Sequence, residues 1–286
     1  MSTAGPVAVL IAAMFCFQLG AVFAKGLFPI VGATGTTALR MALASLILLA
    51  VWRPWRVRMN SSERRVVILY GLSLGFMNFF FYLSLSSIPL GIAVALEFAG
   101  PLALAMADSR RAIDFLWVVM AGLGLLALLP LGAASHTLDP RGVACGLAAG
   151  VFWALYIHFG RKAGAAHGGQ TTALGMVIGS IVIVPIGVAQ AGAQLFSPAI
   201  LPAALAVALL SSALPYSLEM LAMPRLPTRT VGVLMSLDPA LGALSGLVFL
   251  GERLSWIQWL AITSIMAASA GSAACGKDTG SQLLPD

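Results

Sequence analysis

Charge is what this chain has least of. Only 9% of its 286 residues are Asp, Glu, Lys or Arg, against 60% hydrophobic and a mean hydropathy of +0.98, where an ordinary soluble domain carries about a quarter charged residues. A core this apolar could not be covered by so little polar surface, which excludes a water-soluble enzyme or binding module. Acidic residues are the scarcest, 10 against 16 Lys and Arg. Histidine and cysteine number 3 each. No HExxH occurs, so a metal-dependent membrane hydrolase lacks support. Cys16, Cys145 and Cys275 show no metal-ligand spacing and read as small core residues rather than a disulfide framework. No metal, cofactor or catalytic residue is expected.

What is present is a succession of about ten apolar runs, each near the roughly 20 residues a helix needs to cross a bilayer. They cover 6–24, 33–52, 66–86, 89–109, 115–132, 142–160, 170–190, 200–222, 230–250 and 256–274. A barrel would show alternating ten-residue strands, whereas these runs are continuously apolar, so the expected class is all-α integral membrane. No soluble domain or long linker remains. Met1–Gly5 has no positive n-region, and an uncleaved first helix is expected.

Cytoplasmic loops of short-looped membrane proteins are enriched in Lys and Arg. One set of connections holds Arg53, Arg56, Arg58, Arg64, Arg65, Arg110, Arg111, Arg161, Lys162, Arg225, Arg229 and Lys277, and the other only Lys25, Arg141 and Arg253. That bias predicts both termini, with a tail at 275–286, in the cytoplasm. The net charge of +6 thus records topology; nucleic-acid binding would need a basic patch on a soluble face.

Two stretches, PLGIAVALEFAGP at 89–101 and PTRTVGVLMSLDP at 227–239, are each bracketed by proline and each enclose a carboxylate, Glu97 or Asp238. A carboxylate inside a membrane segment is expensive and is usually retained for a substrate or ion path. Matching proline-interrupted segments in two halves of a chain point to a transporter's binding site. A shift of 138 superimposes the prolines, and a shift of 137 lays FCFQLGAVFAK (15–25) on FWALYIHFGRK (152–162). The expected architecture is therefore ten transmembrane helices in two inverted five-helix repeats, 6–132 and 142–274, with the site near the midplane between them. Glu97 and Asp238 each lie eight residues inside their spans from opposite ends, or about 12 Å along a helix. They are not one repeat position, because Glu97 aligns with Met235 and Asp238 with Gly100.

The other intramembrane polar residues are Gln18, Arg40, Asn78, Tyr82, Tyr156, His158, Tyr216 and Glu219. Arg40 can pair with Glu97, fasten helices, or hold a substrate carboxylate through its planar fork. His158 and Glu219 lie near span ends, where snorkelling to water favours a structural role. Trp52, Trp55 and Trp256 read as interface anchors. Gly71–Gly75, Gly175–Gly179 and Gly242–Gly246 have the GxxxG spacing that allows close helix contact. Three other motifs fail on context. GLSLG at 71–75 lies in a membrane helix rather than at a nucleophile elbow. GSAACGKD at 271–278 follows a helix and has Asp278 where a phosphate loop needs Ser or Thr. Asn60 opens an N-x-S sequon on the cytoplasmic side, where glycosylation is not expected.

The paired five-helix halves, Leu39–Arg40 in the second span, PLGIAVALEFAGPL and the LGERLS stretch at 250–255 resemble the drug/metabolite transporter superfamily and its EamA group, over nearly the whole chain. AKGLFPIVGA (24–33), VALEFAGPLA (94–103), DSRRAIDFLWVV (108–119), LPYSLEM (214–220) and RLPTRTVGVLMSLDPAL (225–241) are similar to the threonine/homoserine exporters of the bacterial inner membrane within that group. One departure is Asp238, where the group's motif has glutamate; the charge is kept with a shorter reach. The resemblance implies a central cavity lined by spans one to four and six to nine. It also implies a secondary exporter of small amino acids, threonine and homoserine first. Glu97 or Asp238 would meet the substrate ammonium and Arg40 its carboxylate, with Gln18, Asn78, Tyr82 and Tyr216 reading a side-chain hydroxyl. Proton antiport follows if a buried carboxylate alternately carries a proton and substrate. The competing readings are a broad-specificity drug or metabolite exporter, a channel and a membrane enzyme.

Overall fold

The computed structural model describes residues 4–57, 59–107, 112–128, 138–167 and 169–275. Expectations that rest on Arg58, Arg110, Arg111, Lys277, Asp278, the ends of the fourth and fifth spans at 108–109 and 129–132, and the tail beyond 275 lie outside the described residues. Among the described residues the regular elements are all helical. In chain order they are α1 (Ala4–Trp52), α2 (Ser61–Leu85), α3 (Leu90–Ala107), α4 (Ala112–Leu128), α5 (Pro140–His167), α6 (Gly169–Ala191), α7 (Leu201–Ala208), α8 (Leu214–Ala222), α9 (Thr228–Met235), α10 (Asp238–Phe249) and α11 (Trp256–Cys275). Helix is the form that satisfies backbone groups within one segment in lipid.

Six helical stretches are long and apolar enough to cross a membrane: Ala4–Trp52, Ser61–Leu85, Pro140–Ala163, Gly169–Phe196, Pro198–Arg225 and Thr230–Phe249. Leu90–Leu104 and Leu116–Leu128 are shorter apolar helices. Leu46, Leu123, Ile181, Val248 and Leu260 are exposed on the outside of the bundle, a surface that lipid covers and water does not. The chain is an all-helical, multi-pass membrane protein.

The first two expected spans form one long helix with a single break. A connection is expected over 25–32, yet the helix runs on through Lys25 and Pro29, and only Gly32 leaves it, at φ 70° and ψ 170°. A side chain there would be strained, which glycine avoids. Packing explains the continuation: Leu27 and Val31 are buried in a cluster with Ala24, Tyr82, Ile200, Ala204 and Val207. The limb before the break, about 28 residues or 42 Å long, exceeds the roughly 30 Å hydrocarbon core.

Helices of the second half are interrupted where those of the first are not. The expected span 200–222 is built from α7, a π-helical turn at Leu209–Ala213 and α8, with 3-10 turns at Pro198–Ile200 and Met223–Arg225. The expected span 230–250 is split at Ser236–Leu237 into α9 and α10. Two of the GxxxG spacings cross each other. A methyl on Gly71 would lie 2.9 Å from the Gly175 carbonyl oxygen, and one on Gly75 would lie 2.8 Å from Gly179 Cα, so α2 and α6 meet backbone to backbone. Gly242 instead faces Val94 and Gln18, and Gly246 faces Glu252. Ser73 of the GLSLG motif donates to Leu69 O at 2.8 Å within its own helix. Asn60 caps α2 in a reciprocal pair with Glu63, with backbone N–H to side-chain oxygen distances of 2.9 and 2.8 Å, a structural use of that asparagine.

Trp55 and Trp256 are exposed as interface anchors, whereas Trp52 is half-buried against Gly169. Cys16 and Cys145 are half-buried free thiols rather than core residues, because each lies toward the outer face of its helix.

Candidate functional site

Arg40 is the centre of the polar interior. It lies on the limb of α1 that follows Gly32 and is 2% exposed. Its Nη1 donates to Ser211 O at 3.0 Å, Ser211 Oγ at 3.3 Å and Ser212 Oγ at 3.1 Å. Nη2 donates to Asn78 Oδ1, and the guanidinium carbon sits 4.6 Å from the centroid of the Tyr82 ring. The local cause is the π turn: widening a helix by one residue displaces carbonyls from their usual donors, and Arg40 meets the one at Ser211. Gly20 lets the other limb of α1 press onto the same place, since a methyl there would strike the Ser211 backbone. Two of the expected site residues, Asn78 and Tyr82, thus converge on Arg40. The expected ion pair with Glu97 is not formed among the described residues; all of the acceptors around the guanidinium are neutral.

Three carboxylates occupy the interior. Glu97 on α3 and Asp238 in the first turn of α10 are each 9% exposed, and Glu219 on α8 is 7% exposed. Glu97 is within electrostatic range of both Asp238, which repels it, and Arg40, which attracts it. Pro101 lies four residues beyond Glu97, where a helical donor to the Glu97 carbonyl would stand. The backbone of Gly150 on α5 fills the space instead: a methyl on Gly150 would lie 2.7 Å from Glu97 O. Gln18 points its amide Nε2 at the Asp238 carbonyl, 3.5 Å away. Tyr216 is buried, packs edge-to-face on Phe17 at 5.2 Å, and lies beside Asn78.

The seven residues that the sequence singles out therefore fall into groups: Gln18 with Asp238, Arg40 with Asn78 and Tyr82, Tyr216 beside Asn78, and Glu97 within electrostatic range of Asp238 and Arg40. Ser211 and Ser212 escape a sequence reading, because serine is common in membrane helices and the π turn leaves no mark in composition. Glu219, expected to snorkel, is instead buried, because the helix ends only after Met223–Arg225 and α2 and α5 present Tyr70 and Tyr156 to that level. His158 is exposed, as snorkelling requires. An open cavity of about 420 Å³ bordered by Gly32, Thr34, Gln190 and Gln194 lies apart from these groups; its polar wall is a neutral bond from Thr34 Oγ1 to Gln190 Oε1 at 2.6 Å.

A multi-pass helical bundle with a buried guanidinium and buried carboxylates that do not neutralise one another is built as a membrane transporter. Residues 140–273 match the EamA-like transporter family. The chain is 58% identical over 267 residues to the threonine/homoserine exporter RhtA of Salmonella typhimurium strain LT2, covering 93% of this chain and 90% of that one. It is 56% identical over the same length to the threonine/homoserine exporter RhtA of Escherichia coli K12. A crystal structure of a protein 17% identical aligns with a TM-score of 0.59 over 95% of this chain and 97% of the other, a likeness of fold. The chain belongs to the EamA-like transporter family and is a transporter rather than an enzyme.

Proposed function

We propose that this chain is a secondary exporter of small zwitterionic amino acids, threonine and homoserine first, working by alternating access with proton antiport in the bacterial inner membrane. One observation carries the reading: the buried cation and the buried anions are not paired with each other. Arg40 is held by neutral acceptors, and neither Glu97 nor Asp238 has a cationic partner within bonding distance among the described residues. A zwitterion supplies both missing charges, its carboxylate to Arg40 and its ammonium to Asp238 or Glu97. Gln18, Asn78, Tyr82 and Tyr216 offer neutral donors and acceptors for a side-chain hydroxyl. The names of the two relatives agree with that chemistry.

We assign the chain ten crossings in two inverted repeats, 6–132 and 142–274, with both termini cytoplasmic. Helix neighbours support it. The second limb of α1 and α6, α3 and α10, and α4 and α11 are packed partners that an exchange of halves would map onto themselves. The packing of α2 on α5 has its counterpart in that of α7 and α8 on α1. The Gly32 break supports two crossings within α1. In the cycle, a carboxylate that releases a proton can accept the substrate ammonium, and the reverse exchange on the far side returns the proton.

The test is export from intact cells fed threonine- or homoserine-containing peptides, compared with a deletion strain. Overproducing cells should release both amino acids faster and tolerate more of them. Unchanged release of both, with the protein shown to be in the membrane, would overturn the substrate reading in favour of a broader exporter.

A further inference from the structure

Among the described residues the buried charged side chains are Arg40, Glu97, Glu219 and Asp238. Three are acids and one is a base. A zwitterionic substrate adds one charge of each sign, so with or without it two negative charges lack a cation. An uncompensated charge at that depth is expensive, and a proton is the remaining way to remove it. The exporter reading, on which any role for Glu219 in transport depends, gives Arg40 and either Asp238 or Glu97 to the substrate and leaves Glu219 without a task.

The Glu219 carboxyl makes no hydrogen bond or ion pair with any described residue, while its backbone carbonyl accepts Met223 N–H. The groups that face it are aromatic hydroxyls and one other acid. Tyr70 from α2 and Tyr156 from α5 are stacked 4.9 Å apart, with Thr172 of α6 beside Tyr70. Tyr216 stands one turn earlier on α8, and Asp238 of α10 is the charge within range. Arg40, on α1, reaches Tyr216 and turns its Nη1 and Nη2 donors to Ser211, Ser212 and Asn78, with Nε buried and unpartnered. Glu219 is therefore the acid with the least cationic help. It is also close to one face of the membrane, six residues before Arg225, or about 9 Å along a helix. Through Asp238 it continues toward Glu97, which itself interacts with Asp238, so the three acids form a series across the bundle.

We propose that Glu219 is a proton-carrying group of the transport cycle, exchanging a proton between Asp238 and the water on the Arg225 side, and is not a substrate ligand. The step is a proton transfer alone. Neutral Glu219 gives its proton to water and becomes a carboxylate solvated by the Tyr70 and Tyr156 hydroxyls, and it is recharged by the proton that leaves Asp238 when substrate ammonium binds there.

The experiment uses the full chain in proteoliposomes and two assays on each protein: threonine accumulation driven by a pH gradient, and exchange of labelled for unlabelled threonine at equal pH. Glu219→Gln should abolish gradient-driven accumulation while exchange persists, because exchange needs no net proton movement. Glu219→Asp should restore accumulation in part, with its pH profile displaced and the exchange rate unmoved. Equal loss of both activities in well-folded Glu219→Gln would make Glu219 a substrate ligand, and equal retention would make it structural; either overturns the proposal. If Glu219→Gln does not reconstitute, Glu219→Asp decides, and an undisplaced pH profile overturns it. Wild-type vesicles that exchange threonine but ignore the gradient would overturn proton coupling itself, and vesicles that pass no threonine would overturn the exporter reading. Each of these removes the role of Glu219 too, and shows in the wild-type arm rather than in the variants.

Discussion

The two proline-bracketed stretches are close in sequence and differ in what their second proline does. In 89–101 the proline is absorbed: α3 runs straight through Pro101, and Glu97 stands in mid-helix with its carbonyl covered by Gly150. In 227–239 the helix is interrupted. Leu237 N–H turns back to Leu234 O at 3.0 Å, and Asp238 and Pro239 open a new helix. Asp238 thus stands at a helix N-terminus, where the aligned peptide dipoles favour an anion by about 0.3–1 kcal/mol, more when partly buried, while Glu97 receives no such help. Repeat position is the underlying difference. Asp238 occupies the place of Gly100, and Gly100 is crossed so closely by Gly150 that no side chain fits. One half uses that place for helix contact, and the other uses it for a carboxylate. Asp238 is accordingly the better residue to hold a substrate ammonium as a charged partner, and Glu97 the better one to work in its neutral form.

The largest effect that sharpens this contrast comes from neutralising each acid in turn. Asp238→Asn and Glu97→Gln should both stop uphill export, by about a hundredfold or ~2.7 kcal/mol of transition-state stabilisation, with membrane abundance near normal. They should differ in binding: Asp238→Asn raises the apparent KM for threonine in equal-pH exchange, whereas Glu97→Gln leaves it close to wild type. Matching KM values in the two variants would erase the distinction between the stretches. If Glu97→Gln exports at the normal rate with an unchanged pH profile, Glu97 has no part in binding or coupling.

The contrast itself was only half legible in the sequence. Apolar length showed the helices, because lipid demands runs of that kind, and the expense of Glu97 and Asp238 in such runs marked them as buried. Two of the GxxxG spacings marked places of close helix contact, but the sequence did not pair α2 with α6. The interruption at Ser236–Leu237 was hidden, since a proline in an apolar run reads the same whether a helix bends around it, as at Pro101, or breaks before it. The π turn at Leu209–Ala213 was hidden for a related reason: LLSSA has no local signature of it. Without the π turn, the neutral acceptors of Arg40 could not be foreseen, and the sequence left Glu97 and a substrate carboxylate as its alternatives.

A middle-sized effect tests the claim that the first half gives up the Asp238 position for contact. Gly100→Ala places a methyl against the Gly150 carbonyl, and overpacking of that kind costs about 1–3 kcal/mol. The detergent-solubilised protein should melt at a lower temperature and accumulate less in the membrane. Gly242→Ala, whose methyl would meet the Val94 and Gln18 side chains at 3.0 and 3.2 Å rather than backbone, should cost less. A Gly100→Ala protein as stable as wild type would mean that α3 and α5 can separate, and that the glycine is not what excludes a second acid.

The smallest effect concerns how the two stretches begin. The first turn of α3 is pinned from the other half of the chain: Glu252, in the LGERLS stretch, accepts Leu90 N–H at 2.7 Å and pairs with Lys25 at 2.5 Å, with Gly246 leaving room for the carboxylate. The corresponding start of α9 has Pro227 at the cap and no side-chain cap bond. The carboxylate therefore ties α1, α3 and the α10–α11 connection together at one membrane face. Glu252→Gln keeps an oxygen for Leu90 but loses the charge of a half-buried pair, so it should cost about 1 kcal/mol, the upper end for an ion pair that still meets solvent. Glu252→Ala also loses the cap and should cost about 1 kcal/mol more. Lys25→Met should match Glu252→Gln, and the double variant should be no worse than either alone, read as melting temperature in detergent at low salt. A Lys25→Met penalty that persists at high salt would show that the lysine contributes through packing of its stem rather than through the pair, and the tie would then rest on the Leu90 cap alone.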